Sequence, residues 1–201
     1  MAARRLTRSE RKKATWGRLR EASVRLCTRH GFLHVRTLDV ARAAGVSHGA
    51  VFKHFPSREA LVEATIQLVG RRLTDRLHEL AQGRAGLRAA LAAYLECVGE
   101  FEPLYARLVT EAPHLPERAR RCWLGIQSAV CIHVSQALAE EERRGTIRPM
   151  PLHLLFNTWI GLVHHYLSQR DLFAPRGSVI ARCGKELLEH FLSLVSIQPG
   201  R

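Results

Sequence analysis

"TLDVARAAGVSHGAVFKHF", residues Thr37–Phe55, decides how this chain is read. Two short apolar-periodic segments flank Gly45-Val46-Ser47. Glycine enters the left-handed backbone of a tight turn without steric cost. Serine can cap a following helix by accepting an orphan backbone N–H. The stretch is therefore expected as two helices, Leu38–Ala44 and His48–Phe55, with Thr37 capping the first. Helices that cross closely need a small residue at the contact, and Ala41 supplies one. Val40, Ala44, Val46 and Val51 fall where apolar anchors must pin the unit. His48, Gly49, Phe52, Lys53 and His54 are left facing outward, with Gly49 and Ala50 small enough for close approach of the backbone. The two histidines invite a catalytic or metal reading. No nucleophile, Gly-rich phosphate loop or carboxylate pair accompanies them. A helix-turn-helix presenting its second helix to the DNA major groove accounts for all of these residues together.

The charge distribution agrees. The 201 residues hold 31 Lys and Arg against 18 acids, for a formal net charge of +13. Residues 1–58 carry 14 of the bases and only Glu10, Glu21 and Asp39 as acids, whereas the remaining 143 residues carry 17 bases and 15 acids. A field of that sign attracts a polyanion, and counterion release rewards each phosphate neutralised. Five dispersed cysteines (Cys27, Cys97, Cys122, Cys131, Cys183) offer neither a disulfide framework nor zinc-ribbon spacing. His164-His165 and Cys131-x-His133 diverge around a helix and make poor metal pairs. No metal and no cofactor is expected. The polar N-terminus lacks the apolar core of a signal peptide. No apolar run approaches the ~20 residues of a membrane span. A cytoplasmic protein is expected.

Nearly every segment reads as helix, so the expected class is all-α with about nine helices. Residues 1–13 read as a basic arm, and residues 14–61 as a three-helix DNA-binding domain with its helix-turn-helix at 37–55. Residues 62–201 read as a C-terminal helical domain. The first helix is expected at Ala14–His30, stopped by Gly31. Ser57 caps a helix to about Leu80, and five more follow between proline and glycine clusters. The last two are expected at about Pro151–Arg170 and Ser178–Ser196.

"TLDVARAAGVSHGAVFKHFPSREAL" (Thr37–Leu61), with "RHGF" (Arg29–Phe32) and the basic arm ahead of it, resembles the N-terminal signature of the tetracycline-repressor (TetR) family of bacterial regulators. The resemblance implies a homodimeric repressor. Its N-terminal helices would read half of a palindromic double-stranded DNA operator, and its C-terminal helices would hold a small-molecule pocket and the dimer interface. Carried over by position, His48, Gly49, Ala50 and Lys53 would face base edges, and Thr37, Phe52, His54 and Arg58 would sit at phosphates. Ser47 belongs to the same set. Phe52 departs from the family, which usually places a tyrosine hydroxyl there. Arg4, Arg5, Arg8 or Arg11 could compensate by reaching the adjacent minor groove.

In the C-terminal part, Tyr94, Phe101, Tyr105, Trp123, Gln127 and Trp159 are the candidate lining of an effector pocket, and their character favours an apolar or aromatic ligand. Phe156, Ile160, Val163 and Leu167, with Ile180, Cys183, Leu187 and Phe191, recur at helical spacing on the last two helices. They are the candidate dimer interface. Competing readings are an activator, a redox- or metal-sensing regulator of the same fold, and a helical enzyme using the histidines. An enzyme is not expected.

Overall fold

The computed structural model describes residues 7–197. Ten α-helices form in chain order: α1 (Arg8–His30), α2 (Thr37–Ala44), α3 (His48–Phe52), α4 (Arg58–Ala81), α5 (Leu87–Glu100), α6 (Glu102–Glu111), α7 (Glu117–Arg143), α8 (Leu152–Ser168), α9 (Arg170–Phe173) and α10 (Val179–Val195). A single 3-10 turn, Ala112–His114, links α6 to α7. The described residues contain no strand. An isolated antiparallel bridge between Ile147 and Ser196 ties the end of α10 to the loop before α8. The class is all-α as expected. The tenth helix is α9, a single turn after α8.

Two boundaries move. α1 starts at Arg8, six residues before the expected Ala14, because Thr7 and Glu10 form a capping box. The Thr7 hydroxyl accepts the Glu10 N–H at 3.2 Å, and the Glu10 carboxylate accepts the Thr7 N–H at 2.7 Å. Residues 8–13 of the expected arm are thus helical. α3 ends at Phe52, three residues short of Phe55, and Lys53 is its C-cap.

One core runs through both halves of the molecule. α1 packs on α2 and α4, and α4 continues into the body, where it lies against α5 and α7. α7 is long and apolar enough to cross a membrane by length and composition. It buries its stripe Ala119, Trp123, Ile126, Val130, Val134 and Leu138 within the bundle. The N-terminus of α10 is held by a buried carboxylate. Glu102 accepts the N–H groups of Val179 (2.8 Å) and Ile180 (3.1 Å) and the Ser178 hydroxyl. These satisfy donors that a helix start otherwise leaves bare.

The apolar stripes of α8 and α10 correct one expectation. Val163 and Phe191 are fully buried inside the subunit, and Leu167, Leu187, Ile160 and Phe156 are buried there too. They are core, so they have no surface left for a second chain. Of that set, only Ile180 and Cys183 stay half-exposed. The outward side of α8 carries exposed Leu154, Thr158, Gly161 and His165, and that of α10 carries His190 and Leu194, with exposed Ile197 just beyond its end. Periodicity identified apolar faces correctly but could not say which body covers them.

Candidate nucleic-acid interface and helical interior

The turn between α2 and α3 has the geometry its residues call for. Gly45 lies in the left-handed region (φ 65°, ψ 42°), and the Val46 N–H reaches back to the Ala41 carbonyl at 3.0 Å. Val40, Ala41, Ala44 and Val51 are buried as anchors, and Val46 is half-buried. The Ser47 hydroxyl accepts the Ala50 N–H at 3.3 Å and starts α3. Thr37 is the first residue of α2, not its cap; Arg36 holds the cap position without a side-chain bond. The Thr37 hydroxyl instead meets His48 Nε2 at 2.9 Å, which joins two candidate DNA contacts across the motif.

The outer face of α3 is open. His48, Gly49, Phe52 and Lys53 are exposed, Phe52 by 47%, and the His48 ring packs edge-on against Phe52 at 5.1 Å. Nothing lies within 4 Å of where a Gly49 side chain would begin. Ala50 is half-buried, with its N–H committed to Ser47. Two candidates fare differently. His54 is half-buried, and burial together with Lys12 holds its pKa below the ordinary value. A neutral imidazole is a weaker phosphate partner than the sequence suggested. Arg58 is turned inward. Its guanidinium donates to the carbonyls of Val35 (2.9 Å), Phe32 (2.7 Å) and Leu33 (2.5 Å), closing the loop between α1 and α2. Those donors serve the loop and not a phosphate. Arg8 and Arg11 are exposed on the first turns of α1, fixed to a helix and not to a free arm. Arg4 and Arg5 lie outside the described residues.

The same loop is gripped from the other side. Glu111, buried at the end of α6, accepts the Leu33 N–H at 3.0 Å. Gly31 (φ 89°) passes so close that a Cβ there would overlap the Glu111 carboxylate. α6 therefore touches the reading head directly. Sequence reasoning missed this, since neither residue has a local motif and they stand 78 positions from one another along the Leu33–Glu111 bond.

Of the six candidate pocket residues, four form one aromatic cluster. Tyr94, Tyr105, Trp123 and Trp159 are buried. Tyr105 packs edge-on against Trp123 at 5.3 Å, and Tyr94 against Trp159 at 6.2 Å. Phe101 and Gln127 are half-buried. His164 joins it, a residue the sequence offered as a poor metal ligand or as an acid–base group of the enzyme reading, not as pocket lining. Its Nε2 lies 3.2 Å from the Tyr105 hydroxyl, which lies 3.0 Å from that of Tyr94. Burial depresses the His164 pKa to about 4 and raises those of both tyrosines. All three are uncharged near neutrality. Beside Tyr94 and Tyr105 lies a gap of about 10 Å³, walled by Leu73, Leu77, Val98, Ile126 and Val130. That is room for about one water molecule.

Among the described residues no three His, Cys, Asp or Glu side chains group as metal ligands. The five cysteines are free. Burial pushes the Cys27 and Cys97 thiols up to about 12, so these two are not thiolates at neutral pH.

Residues 19–65 match the family model "Bacterial regulatory proteins, tetR family". The N-terminal helices that carry the helix-turn-helix are therefore of the TetR type. It is 37% identical over 76 residues to the HTH-type transcriptional regulator CymR of Pseudomonas putida, covering 38% of this chain and 37% of that protein. It is 30% identical over 132 residues to the HTH-type transcriptional regulatory protein RaaS of Mycobacterium tuberculosis, covering 66% of this chain and 59% of that one. The chain thus spans less than two thirds of each relative. The transcriptional regulator FadR from Bacillus subtilis, solved in complex with stearoyl-CoA, has the same fold. It superimposes with a TM-score of 0.74 at 15% identity, over 89% of this chain and 98% of that one. The family-model match falls on residues 19–65, while the fold as a whole is shared with FadR as architecture.

Proposed function

We propose that this chain is a homodimeric, ligand-responsive transcriptional repressor that binds a palindromic operator in double-stranded DNA in the cytoplasm. The observation that carries the reading is the open face of α3. His48, Gly49, Phe52 and Lys53 stand exposed on a helix fixed by Gly45, Ser47 and Val51, in the third of the chain that holds most of the excess positive charge. Lys53 suits a guanine edge, and the small surface at Gly49 admits the helix to the groove floor. Thr37 and His48 act as a bonded pair at the rim, able to donate to base or phosphate.

A palindrome reader gains from two recognition helices about one DNA turn apart. The exposed stripe Leu154, Gly161 and His165 of α8 with Leu194 and Ile197 at α10 is the surface on which a second copy would pack as a four-helix bundle. An effector between α4 and α8 would act on operator affinity through α6, whose Glu111 holds the loop of the reading head. The mechanism is a population shift driven by different effector affinity in the two states.

The test is a gel shift of the full chain on the DNA upstream of its own coding sequence, repeated across salt concentrations. Tight, salt-sensitive, sequence-specific binding is expected; binding to all DNA alike would refute the reading. Sedimentation at the same concentrations should give a dimer, and Leu154→Glu should give a monomer that keeps the wild-type helical circular-dichroism signal and melts at a lower temperature.

A further inference from the structure

We propose that a cleft at the seam between the reading head and the body binds a phosphorylated polyol, a small molecule carrying a phosphate and several hydroxyl groups. The site is separate from the aromatic interior. Binding there stands on the cleft alone, whereas its effect on operator affinity rests on the function proposed above.

The first observation is where the cleft lies. Its volume is about 440 Å³, within the range of small-molecule sites. Its walls come from α1 of the head and from α6, α8 and α9 of the body. An occupant therefore touches both halves of the molecule at once.

The second observation is the charge on those walls. Arg29 of α1, Arg107 of α6 and Arg170 of α9 line the cleft, against one acid, Asp171. All three arginines are exposed. Arg29 and Arg170 make no ion pair and no side-chain hydrogen bond among the described residues. Arg107 Nη1 stands 3.6 Å from Glu111, too far for a hydrogen bond, so its donors stay available as well. The cleft of about 480 Å³ between α4, α5 and α7 makes the contrast. Its two arginines are already answered, Arg84 by Glu96 at 3.1 Å and Arg144 by Glu140 at 2.7 Å. Guanidinium forks match phosphate oxygens in pairs. Three forks suit the three unesterified oxygens of a phosphate monoester better than the two of a carboxylate.

The third observation concerns hydroxyls. Thr28, Thr110 and Ser168 line the same cleft. Each donates its proton to a carbonyl of its own helix: Thr28 to Val24 (2.9 Å), Thr110 to Ala106 (3.1 Å) and Ser168 to His165 (2.8 Å). A hydroxyl with its proton committed can only accept. Such oxygens disfavour a bare anion and favour a ligand with hydroxyl donors. The arginines select the phosphate, and the three acceptors select the polyol.

A ligand spanning the cleft would tie α1 to α6 and α9. It would also draw Arg107 away from Glu111, the carboxylate that accepts the Leu33 N–H and joins body to head. Occupancy thus favours one arrangement of head on body and shifts the population toward it.

The experiment is isothermal titration calorimetry of the full chain at fixed ionic strength. The probes are glucose 6-phosphate, glucose, phenyl phosphate and inorganic phosphate. Glucose 6-phosphate should bind about 5-fold or more tighter than each of the others. Arg29→Gln and Arg170→Gln should each weaken it about 5-fold, and together about 20-fold, while melting as the wild type does without ligand. Arg144→Gln removes the same charge from the other cleft and should leave binding unchanged. The proposal is overturned if glucose 6-phosphate does not bind, if phenyl phosphate binds as tightly, or if the double variant binds undiminished. An equal loss in Arg144→Gln also overturns it, since binding would then follow overall charge. A gel shift run alongside separates the two readings. Glucose 6-phosphate should change operator affinity in the wild type and not in the double variant; no change in the wild type refutes the coupling. Binding in the calorimeter with no DNA shift at all refutes the proposed function and leaves the site standing.

Discussion

The reading head, α1 to α3, and the body, α5 to α10, put their chemistry in opposite places. The head keeps its working groups outside: His48, Gly49, Phe52 and Lys53 are exposed, and the anchors of the helix-turn-helix, Val40, Ala41, Ala44 and Val51, are small or aliphatic. The body keeps its polar groups inside: Tyr94, Tyr105, His164, Glu102 and Glu111 are bonded within or beside the core. A surface that meets DNA needs rigid support and free donors. A site that admits a small molecule needs an interior that can be rearranged. Substitutions should therefore separate the two. In the head they should change affinity for DNA with little change in stability, and in the body the reverse.

Glu102→Ala tests the body most severely. It leaves the Val179 and Ile180 N–H groups without their carboxylate, at a cost of about 3 kcal/mol. Urea unfolding reads this directly, and a loss under about 1 kcal/mol would mean the cap is not structural. His164 gives the body a pH signature. Its folded pKa, about 4, lies below the ordinary imidazole value, so the unfolded chain binds the proton more readily. Stability contributed by the neutral ring is complete above about pH 6.5 and falls as pH drops toward 4, by up to about 3 kcal/mol. His164→Asn should flatten that part of the stability–pH curve. An unchanged slope would place the titration elsewhere.

Lys53→Ala should weaken operator binding by about 1–3 kcal/mol and leave the melting temperature alone. A comparable loss of stability would collapse the distinction between head and body. Ser47→Ala is the smallest and the mixed case. Losing the cap of α3 should cost about 1 kcal/mol of stability. It should also lower DNA affinity, because the recognition helix frays. Comparing melting curves with gel shifts across the two variants measures how far positioning and contact can be told apart.

The same contrast explains what the sequence disclosed. The turn, caps and anchors of the helix-turn-helix fall within nineteen residues, and each acts on near neighbours, so its geometry was legible from Thr37 to Phe55. The capping box at Thr7 and Glu10 was legible too, three residues apart, but the density of basic residues around it reads as an arm. Arg58 was misplaced because a basic residue near a DNA-binding motif looks like a phosphate contact. Only the fold brings three carbonyls 23 to 26 positions away within its reach. His164 gains its meaning from Tyr105, 59 positions distant. On α8 and α10 the apolar period was right and its partner was not, because a repeat of three and four residues is the same whether the stripe faces its own subunit or a second one.

The loop between α1 and α2 also bears on how such proteins can be recombined. Arg58 grips its carbonyls from the head's own exit helix, whereas Glu111 grips Leu33 from the body. A head transplanted onto a foreign body brings Arg58 with it and leaves Glu111 behind. Such a chimaera keeps its recognition surface and folds its turn, but the Leu33 N–H meets whatever the new α6 offers. On the proposed function, inducibility should then travel with one side chain: a graft lacking an acid at that place is expected to bind DNA without answering its effector, and restoring the acid is expected to restore the answer.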